Sequence, residues 1–459
     1  MEFVHPSYSH EETIAAIATA PGEGGVAMVR ISGACAIDVA ALCFSGPVHQ
    51  YKSHTAHFGK ICDANGTIVD EVLLLVMLAP RSYTGENTVE IHCHGGRLIT
   101  RRVFETILAA GAQAAAPGEF TLRAFLNGKI DLAQAEAVQA LIGAKNEMAL
   151  DASANQLQGK LSRSIAQFQQ ALTQTAAILE AWVDFPEEDL EFASAQQICD
   201  DLEIICVQME NLATSFHNGR LVHDGVALCL VGSPNVGKSS LMNALLDKDR
   251  AIVSPYAGTT RDVLEDHMRL NGLNIKISDT AGIRETAEII EQEGIRRSKQ
   301  AMQTADLILL VLDIQAGLTS SDQELLQLVP KDKTIIVWNK NDLAHLSPPD
   351  LDHFPATITI SAKDGTGLAK LHKIIDDILW QAHPPAKDEV MITNIRHHEA
   401  LVKAALAARA VQNGLLNNTS PEFLTFDMRQ ALSELGQILG TNITEDILSA
   451  IFSKFCIGK

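Results

Sequence analysis

The stretch VALCLVGSPNVGKSSLMNALL sets an apolar strand, a Gly232-x-x-x-x-Gly237-Lys238-Ser239 loop and a helix in that order. Glycines let such a loop turn its backbone N–H groups inward at a helix N-terminus, where they hold phosphate oxygens. The binding segment is Asn235, Val236, Gly237, Lys238, Ser239 and Ser240. Within it Lys238 is spaced to reach the β- and γ-phosphates of a nucleotide, and Ser239 to ligate Mg²⁺.

Three later segments fall where a guanine nucleotide needs them. Asp279, Thr280, Ala281 and Gly282 follow the strand NIKIS. Asp279 can hold Mg²⁺ through water, and the Gly282 N–H can sense the γ-phosphate. Asn339, Lys340 and Asp342 form an N-K-x-D segment after the strand TIIVW. A carboxylate at 342 accepts from guanine N1–H and the exocyclic amine. Adenine has no such donor pair, so the segment selects GTP over ATP by a polar mismatch. Ser361, Ala362 and Lys363 follow ATITI and suit backbone contact to the guanine O6. Between the first loop and Asp279 lies SPYAGTTRD, where Thr260 can give Mg²⁺ a second hydroxyl and close over the γ-phosphate. Ile283 follows Gly282, at a place where many GTPases use glutamine to orient the attacking water. Isoleucine makes no hydrogen bond, so another group must hold the water and another cation must offset the developing charge.

These residues need elements to position them. Residues 225 to about 383 alternate short apolar strands with helices, the pattern of a parallel sheet. Before them, TIAAIAT and VAMVRIS flank PGEGG as a hairpin would, VLLLVML and TVEIHCH read as strands, and RLITRRVFETILAAG as a helix. Leu157, Leu161, Ile165, Phe168 and Leu172 make one helical stripe, and Ile198, Leu202, Ile205, Met209 and Leu212 another. After the nucleotide block come a stripe of Leu432, Leu435, Ile438 and Leu439 and one of Leu448, Phe452 and Phe455, with Thr444 as N-cap. Such stripes must be buried. Packing the helices before residue 220 on those after 385 makes the α/β block an insertion with neighbouring ends.

The expected fold class is therefore multidomain α/β plus all-α. Its divisions are an α/β domain over 1–127, a helical domain in two parts over 128–222 and 385–459, and an inserted Ras-like P-loop domain over 223–384. The formal charge of −20 opposes nonspecific binding to nucleic acid, so an RNA partner needs a local basic patch or a second protein. The eight cysteines form no C-x-x-C pair, which argues against a disulfide or zinc framework. With no signal peptide and no apolar run of membrane length, a reduced cytoplasmic protein is expected. The closing Cys456-Ile457-Gly458-Lys459 fails the C-a-a-X requirements, so no lipid anchor is expected. His92 and His94 share one side of a strand but lack further converging ligands, and His397 and His398 read as structural.

With these loops, the helical flanks and the terminal Cys-x-Gly-Lys in hand, the chain resembles the MnmE (TrmE) family over essentially its whole length. That family comprises bacterial GTPases of tRNA wobble-uridine modification. The resemblance implies an answer to Ile283: K⁺ beside the phosphates, held by Asn235, Ser254, Tyr256 and Thr259, with Ser254 and Thr259 also in the GTP site. It also implies Glu291 as the water-positioning residue. It places one-carbon tetrahydrofolate (5,10-methylene or 5-formyl) at Arg30, Glu90, Lys129 and Lys459, and makes Cys456 a candidate for chemistry during modification. It further implies a homodimer, a flavoprotein partner MnmG (GidA) carrying FAD, tRNA as substrate, and an aminomethyl or carboxymethylaminomethyl group placed at C5 of the wobble uridine. The competing readings are a ribosome-assembly GTPase of the Era or EngA type, which usually adds a basic RNA-binding module, and a folate-dependent methyltransferase with an inserted GTPase.

Overall fold

The computed structural model describes residues 12–185, 194–246, 266–270, 273–279, 301–343, 349, 351, 353–380, 386 and 388–458. Chain contacts divide the protein into two compact units: Met1–Gln139 with Gln156–Cys206 and Lys403–Lys459, and Ala140–Asn155 with Val207–Val402.

The first unit contains a six-stranded sheet of order β3-β4-β5-β2-β1-β6. Its strands are β1 (Ile14–Ile17), β2 (Gly24–Ser32), β3 (Thr55–Cys62), β4 (Ile68–Met77), β5 (Thr88–Gly95) and β6 (Gln113–Ala114). All pairings are antiparallel except β1 with β6. Alternation decides the faces. Val72, Leu74 and Val76 of β4 and Val89 and Ile91 of β5 are buried in one core with α1 (Ala36–Cys43) and α2 (Arg97–Ala109). On the other register of β4, Leu73 stays about half exposed, so the apolar run VLLLVML is two-faced rather than a fully buried strand.

Helices α3 (Glu119–Leu126), α4 (Leu132–Gly143), α5 (Glu147–Leu157), α6 (Lys160–Asp184), α7 (Ala195–Thr214) and α8 (Phe216–Asp224) follow. Helix α6 buries Leu161, Ile165, Phe168, Leu172 and Leu179 on one stripe. It packs along a helix some 250 residues later in the chain, as the stripes require. The second-unit sheet lies between them in sequence, with order β12-β11-β10-β7-β9-β8. Strands β7 (Val226–Val231), β9 (Leu273–Asp279), β10 (Leu307–Asp313), β11 (Thr334–Asn339) and β12 (Ala356–Thr359) are parallel, and β8 (Asp266–Leu270) adds an antiparallel edge. Buried residues of β7, β10 and β11 pack into two apolar clusters, which their near-continuous apolar composition demands. The accompanying helices are α9 (Lys238–Leu246), α10 (Ser320–Leu328) and α11 (Leu368–Leu379).

The chain then forms α12 (Ile395–Leu416), α13 (Pro421–Leu439) and α14 (Glu445–Phe452). The partner of α6 is α13, with Arg429 of α13 bonded to Glu180 of α6 at 3.0 Å. Its buried line runs Leu424, Met428, Ala431, Leu435 and Ile438; Leu432 and Leu439 of the expected stripe lie on its flanks, only partly covered. Thr444 occupies the N-cap position of α14 but makes no side-chain capping bond; Glu445 and Asp446 supply negative charge to the first turn instead. His397 is fully buried beside Arg396, and His398 stacks on Phe216, so both serve packing.

Candidate functional site

Five parallel strands end on one edge of the second-unit sheet, where open α/β sheets bind ligands. The loop after β7 carries Asn235 at φ +63° and Gly237 at φ +96°. A Cβ at Gly237 would come 2.3 Å from the Asn339 amide nitrogen, so only glycine permits this crossing. Lys238, 7% exposed, starts α9 and folds back over its own loop. Its ammonium donates to the carbonyls of Gly232 (2.7 Å) and Ser233 (2.9 Å). Ser239 and Ser240 are exposed in the first turn of α9.

The Asn339–Asp342 and Ser361–Lys363 segments are tied to this loop. Asn339, 2% exposed, donates from Nδ2 to the Val236 carbonyl at 2.9 Å and accepts from the Ala362 N–H at 3.0 Å. One side chain thus joins three of the sequence segments. Ser361 is fully buried and donates to Asp342 Oδ1 at 2.8 Å, which orients that carboxylate. Lys340, at φ +68°, pairs its ammonium with Asp313 Oδ2 at 2.6 Å. Burial alone would raise the Asp313 carboxyl, but the bond from Lys340, the Gln315 N–H and the lysine charge together hold it below its ordinary range. Lys363 is exposed beside Ala362. Asp279 ends β9 opposite Leu230 of β7, on the same edge of the sheet. Ser254, Tyr256, Thr259, Thr260, Thr280, Ala281, Gly282, Ile283 and Glu291 lie outside the described residues, as does the Asp279 side chain.

Sequence reasoning missed two acids here. Asp313 carries no motif beyond its place at a strand end. Asp322 does have a readable signal, the T-x-x-D box opening α10. Its carboxylate accepts from Thr319 and also from Ser233 of the phosphate loop at 2.7 Å.

The first unit holds a second polar cluster. Arg30 of β2 and Glu90 of β5 are directly opposite in register, and Arg30 donates to Glu90 Oε1 at 2.9 Å through Nε and lies 2.8 Å away through Nη2. The guanidinium lies over Phe120 and Tyr83, 5.7 and 5.9 Å from the ring centres. Its Nη1 also donates to the Gly458 carbonyl at 3.4 Å. The chain's tail therefore reaches this cluster. Gly118 stands at φ +70° where a Cβ would lie 2.7 Å from the Phe452 carbonyl, and its N–H donates to the Cys456 carbonyl at 3.4 Å. Cys456 itself is exposed. Lys129 donates to the Pro80 carbonyl at 3.0 Å, at one end of the 80–85 loop that carries Tyr83. Lys459 lies outside the described residues. Beneath the cluster, fully buried Arg123 joins Glu86, Glu119 and the Glu12 carbonyl, and Ser32 donates to Glu86 at 2.8 Å. Local sequence signals only its Glu119–Arg123 pair, by i,i+4 spacing on α3. His94 pairs with Asp70 at 2.7 Å, while His92 is 3.7 Å from Glu90.

A glycine loop with its lysine inside, joined through Asn339 to an N-K-x-D segment on a mostly parallel sheet, defines a P-loop GTPase. The model of the MnmE helical domain matches residues 132–456, and that of the GTP-binding protein TrmE N-terminus matches 13–129. The tRNA modification GTPase MnmE of Protochlamydia amoebophila is 65% identical over 459 residues, covering all of both chains. Those of Syntrophotalea carbinolica and Chlamydia trachomatis serovar A are 43% and 42% identical, over 98% of this chain and 100% and 99% of theirs. A crystal structure of Aquifex aeolicus Era matches at 30% identity, over 40% of this chain and 66% of that one, with a TM-score of 0.28. The chain belongs to the MnmE family of tRNA modification GTPases.

Proposed function

We propose that this GTPase depends on K⁺ and works as a homodimer with a flavoprotein of the MnmG type. Its product is an aminomethyl or carboxymethylaminomethyl substituent at C5 of the tRNA wobble uridine. The observation that carries the GTP half is Asn339, which fastens the phosphate loop to both base-reading segments. GTP would lie along this edge, with Lys238 exchanging its loop carbonyls for phosphate oxygens and Asp342 reading guanine. Ser239, exposed in the first turn of α9, fits Mg²⁺ together with Thr260; the ion would neutralise phosphate charge. Asn235, exposed on the loop, fits a K⁺ ligand alongside Ser254, Tyr256 and Thr259. The ion would put positive charge beside the phosphates, which the Ile283 side chain cannot supply. Glu291 would hold the attacking water.

The paired Arg30 and Glu90, only 14% and 13% exposed above an aromatic floor, fit a folate: a guanidinium for a carboxylate or formyl oxygen, a carboxylate for pterin donors. Lys129 and Lys459 would complete that site. Tetrahydrofolate would supply the one-carbon unit, and the partner's FAD the redox chemistry. Cys456, exposed on a tail that reaches Arg30, would meet the substrate. The domain division at 127, 222 and 384 belongs to this reading, as does a location in the cytoplasm. Among the described residues no helix is long and apolar enough to cross a membrane.

The test is steady-state hydrolysis of GTP by the full chain in K⁺ and in Na⁺, with mass spectrometry of wobble nucleosides from cells lacking the protein. Turnover should fall at least about tenfold in Na⁺ if a bound cation offsets transition-state charge. Equal turnover in both salts, or unchanged nucleosides, overturns the reading.

A further inference from the structure

We propose that Asp322 is a positioning residue for the nucleotide site, holding the phosphate loop in place through Ser233. The proposal rests on the GTPase reading of this site and adds an element that no nucleotide segment covers. Asp322 is the third residue of α10 and only 2% exposed. Its Oδ2 accepts from the Thr319 hydroxyl at 2.7 Å and the Thr319 N–H at 3.2 Å, and its own N–H donates back to Thr319. That reciprocal box fixes the carboxylate before it touches the loop. Its second oxygen, Oδ1, is left to accept from the Ser233 hydroxyl at 2.7 Å.

Ser233 is a junction. Its side chain is held by Asp322, and its backbone carbonyl is one of the two that carry the Lys238 ammonium. A hydrogen bond to a carboxylate is among the strong neutral–ion kind, and here the accepting carboxylate is buried. The bond therefore sets where the first turn of the loop sits, and with it the carbonyl on which Lys238 rests. The same segment meets the other end of the site. Asp313, at the end of β10, pairs with Lys340 of the guanine-reading loop. Residues 313–322 thus brace the phosphate loop at one end and the base loop at the other.

A role in packing and a role in positioning separate by variant. Ser233→Ala removes only the bond to the loop and leaves the helix cap whole. Thr319→Val removes the cap and leaves the Ser233 contact. Titration of the full chain with fluorescently labelled GDP, alongside thermal denaturation without nucleotide, reads both. Ser233→Ala should weaken GDP about five- to tenfold and also lower Tm by a few degrees, because the buried Asp322 Oδ1 loses its hydroxyl partner, so the loss of affinity is the reading that separates the two roles. Ser233→Thr, which keeps the hydroxyl, should restore binding. Thr319→Val should lower Tm by a few degrees and leave affinity within about twofold. Asp322→Ala combined with Ser233→Ala should bind no worse than Asp322→Ala alone, because both remove the same bond. Wild-type affinity in Ser233→Ala, or losses that multiply in the double variant, would overturn the proposal. Failure of the unaltered protein to bind GDP would instead overturn the GTPase reading beneath it.

Discussion

The nucleotide site and the Arg30 cluster are built in opposite ways. The first is made of loops that each follow a strand of one parallel sheet, so sheet topology alone brings them to a common edge. Much of its contact is backbone: carbonyls of Gly232 and Ser233 under Lys238, the Val236 carbonyl and Ala362 N–H on Asn339. The second is made of single side chains from β2, β5 and α3, met by a tail 428 residues beyond Arg30. Backbone-built sites leave dense motifs, because glycines and fixed spacings are required. Side-chain clusters leave isolated charges that look like ordinary surface. The comparison also separates their weaknesses: the first is sensitive to one loop atom, the second to anything that shifts the tail.

The largest expected effect lies in the first site. Asp342→Asn replaces an acceptor by a donor facing guanine N1–H and the amine. GTP affinity should drop about a hundredfold or more, with xanthosine triphosphate gaining, since its 2-oxo group can accept. Binding titrations with both nucleotides check this, and unchanged preference would mean that Asp342 does not read the base. In the second site, Arg30→Ala strands the Glu90 carboxylate and releases the Gly458 carbonyl. Stability should fall by about 1–3 kcal/mol, from the unpaired group. GTP turnover should stay within about twofold, because the described partners of Arg30 all belong to the first unit. A parallel loss of turnover would break the contrast between the two sites.

An effect of similar size is expected from Gly118→Ala. A Cβ there meets the Phe452 carbonyl at 2.7 Å, in a backbone conformation that favours glycine. The strain should cost about 1–3 kcal/mol, or be relieved by undocking the tail. Protease sensitivity near Cys456, measured with and without the substitution, distinguishes docked from released. The smallest effect is in pH. The Asp313 carboxyl lies below its ordinary 3.8 in the folded protein. Its pairing with Lys340 therefore stabilises the fold above pH 3.8 and is lost as pH falls through the lowered value. Asp313→Asn should flatten the acid limb of the stability curve there, and an unchanged limb would place the acid sensitivity elsewhere.

Several elements were legible from residues alone. The P-loop strand and helix, the β1–β2 hairpin and the α6 stripe from Leu161 to Leu172 follow from local period and turn chemistry and are present, whereas Leu157 of the expected stripe ends α5, cut off from α6 by the turn at Gly159. The stripe on α13 was half-read: Leu435 and Ile438 are buried, but Ala431 and Met428 replace Leu432 and Leu439 in the buried line. Adjacent apolar residues such as Ala431 and Leu432 or Ile438 and Leu439 fit either side of a helix, and only the neighbour decides which side closes. Thr444 shows the same limit, since a cap residue type guarantees the position but not the bond.

Order along the chain determined the nucleotide site: a strand, a glycine loop and a helix can fold locally into a phosphate cradle, and N-K-x-D can serve only beside it. What the tertiary structure alone decided were the meetings of distant groups. Asp322 reaches Ser233 across 89 positions, Arg123 gathers Glu86 and the Glu12 carbonyl, and the tail comes to rest on Arg30. Local sequence fixes dihedral preferences and apolar faces. A contact between remote polar groups depends on how those faces stack, and it leaves no spacing to be read.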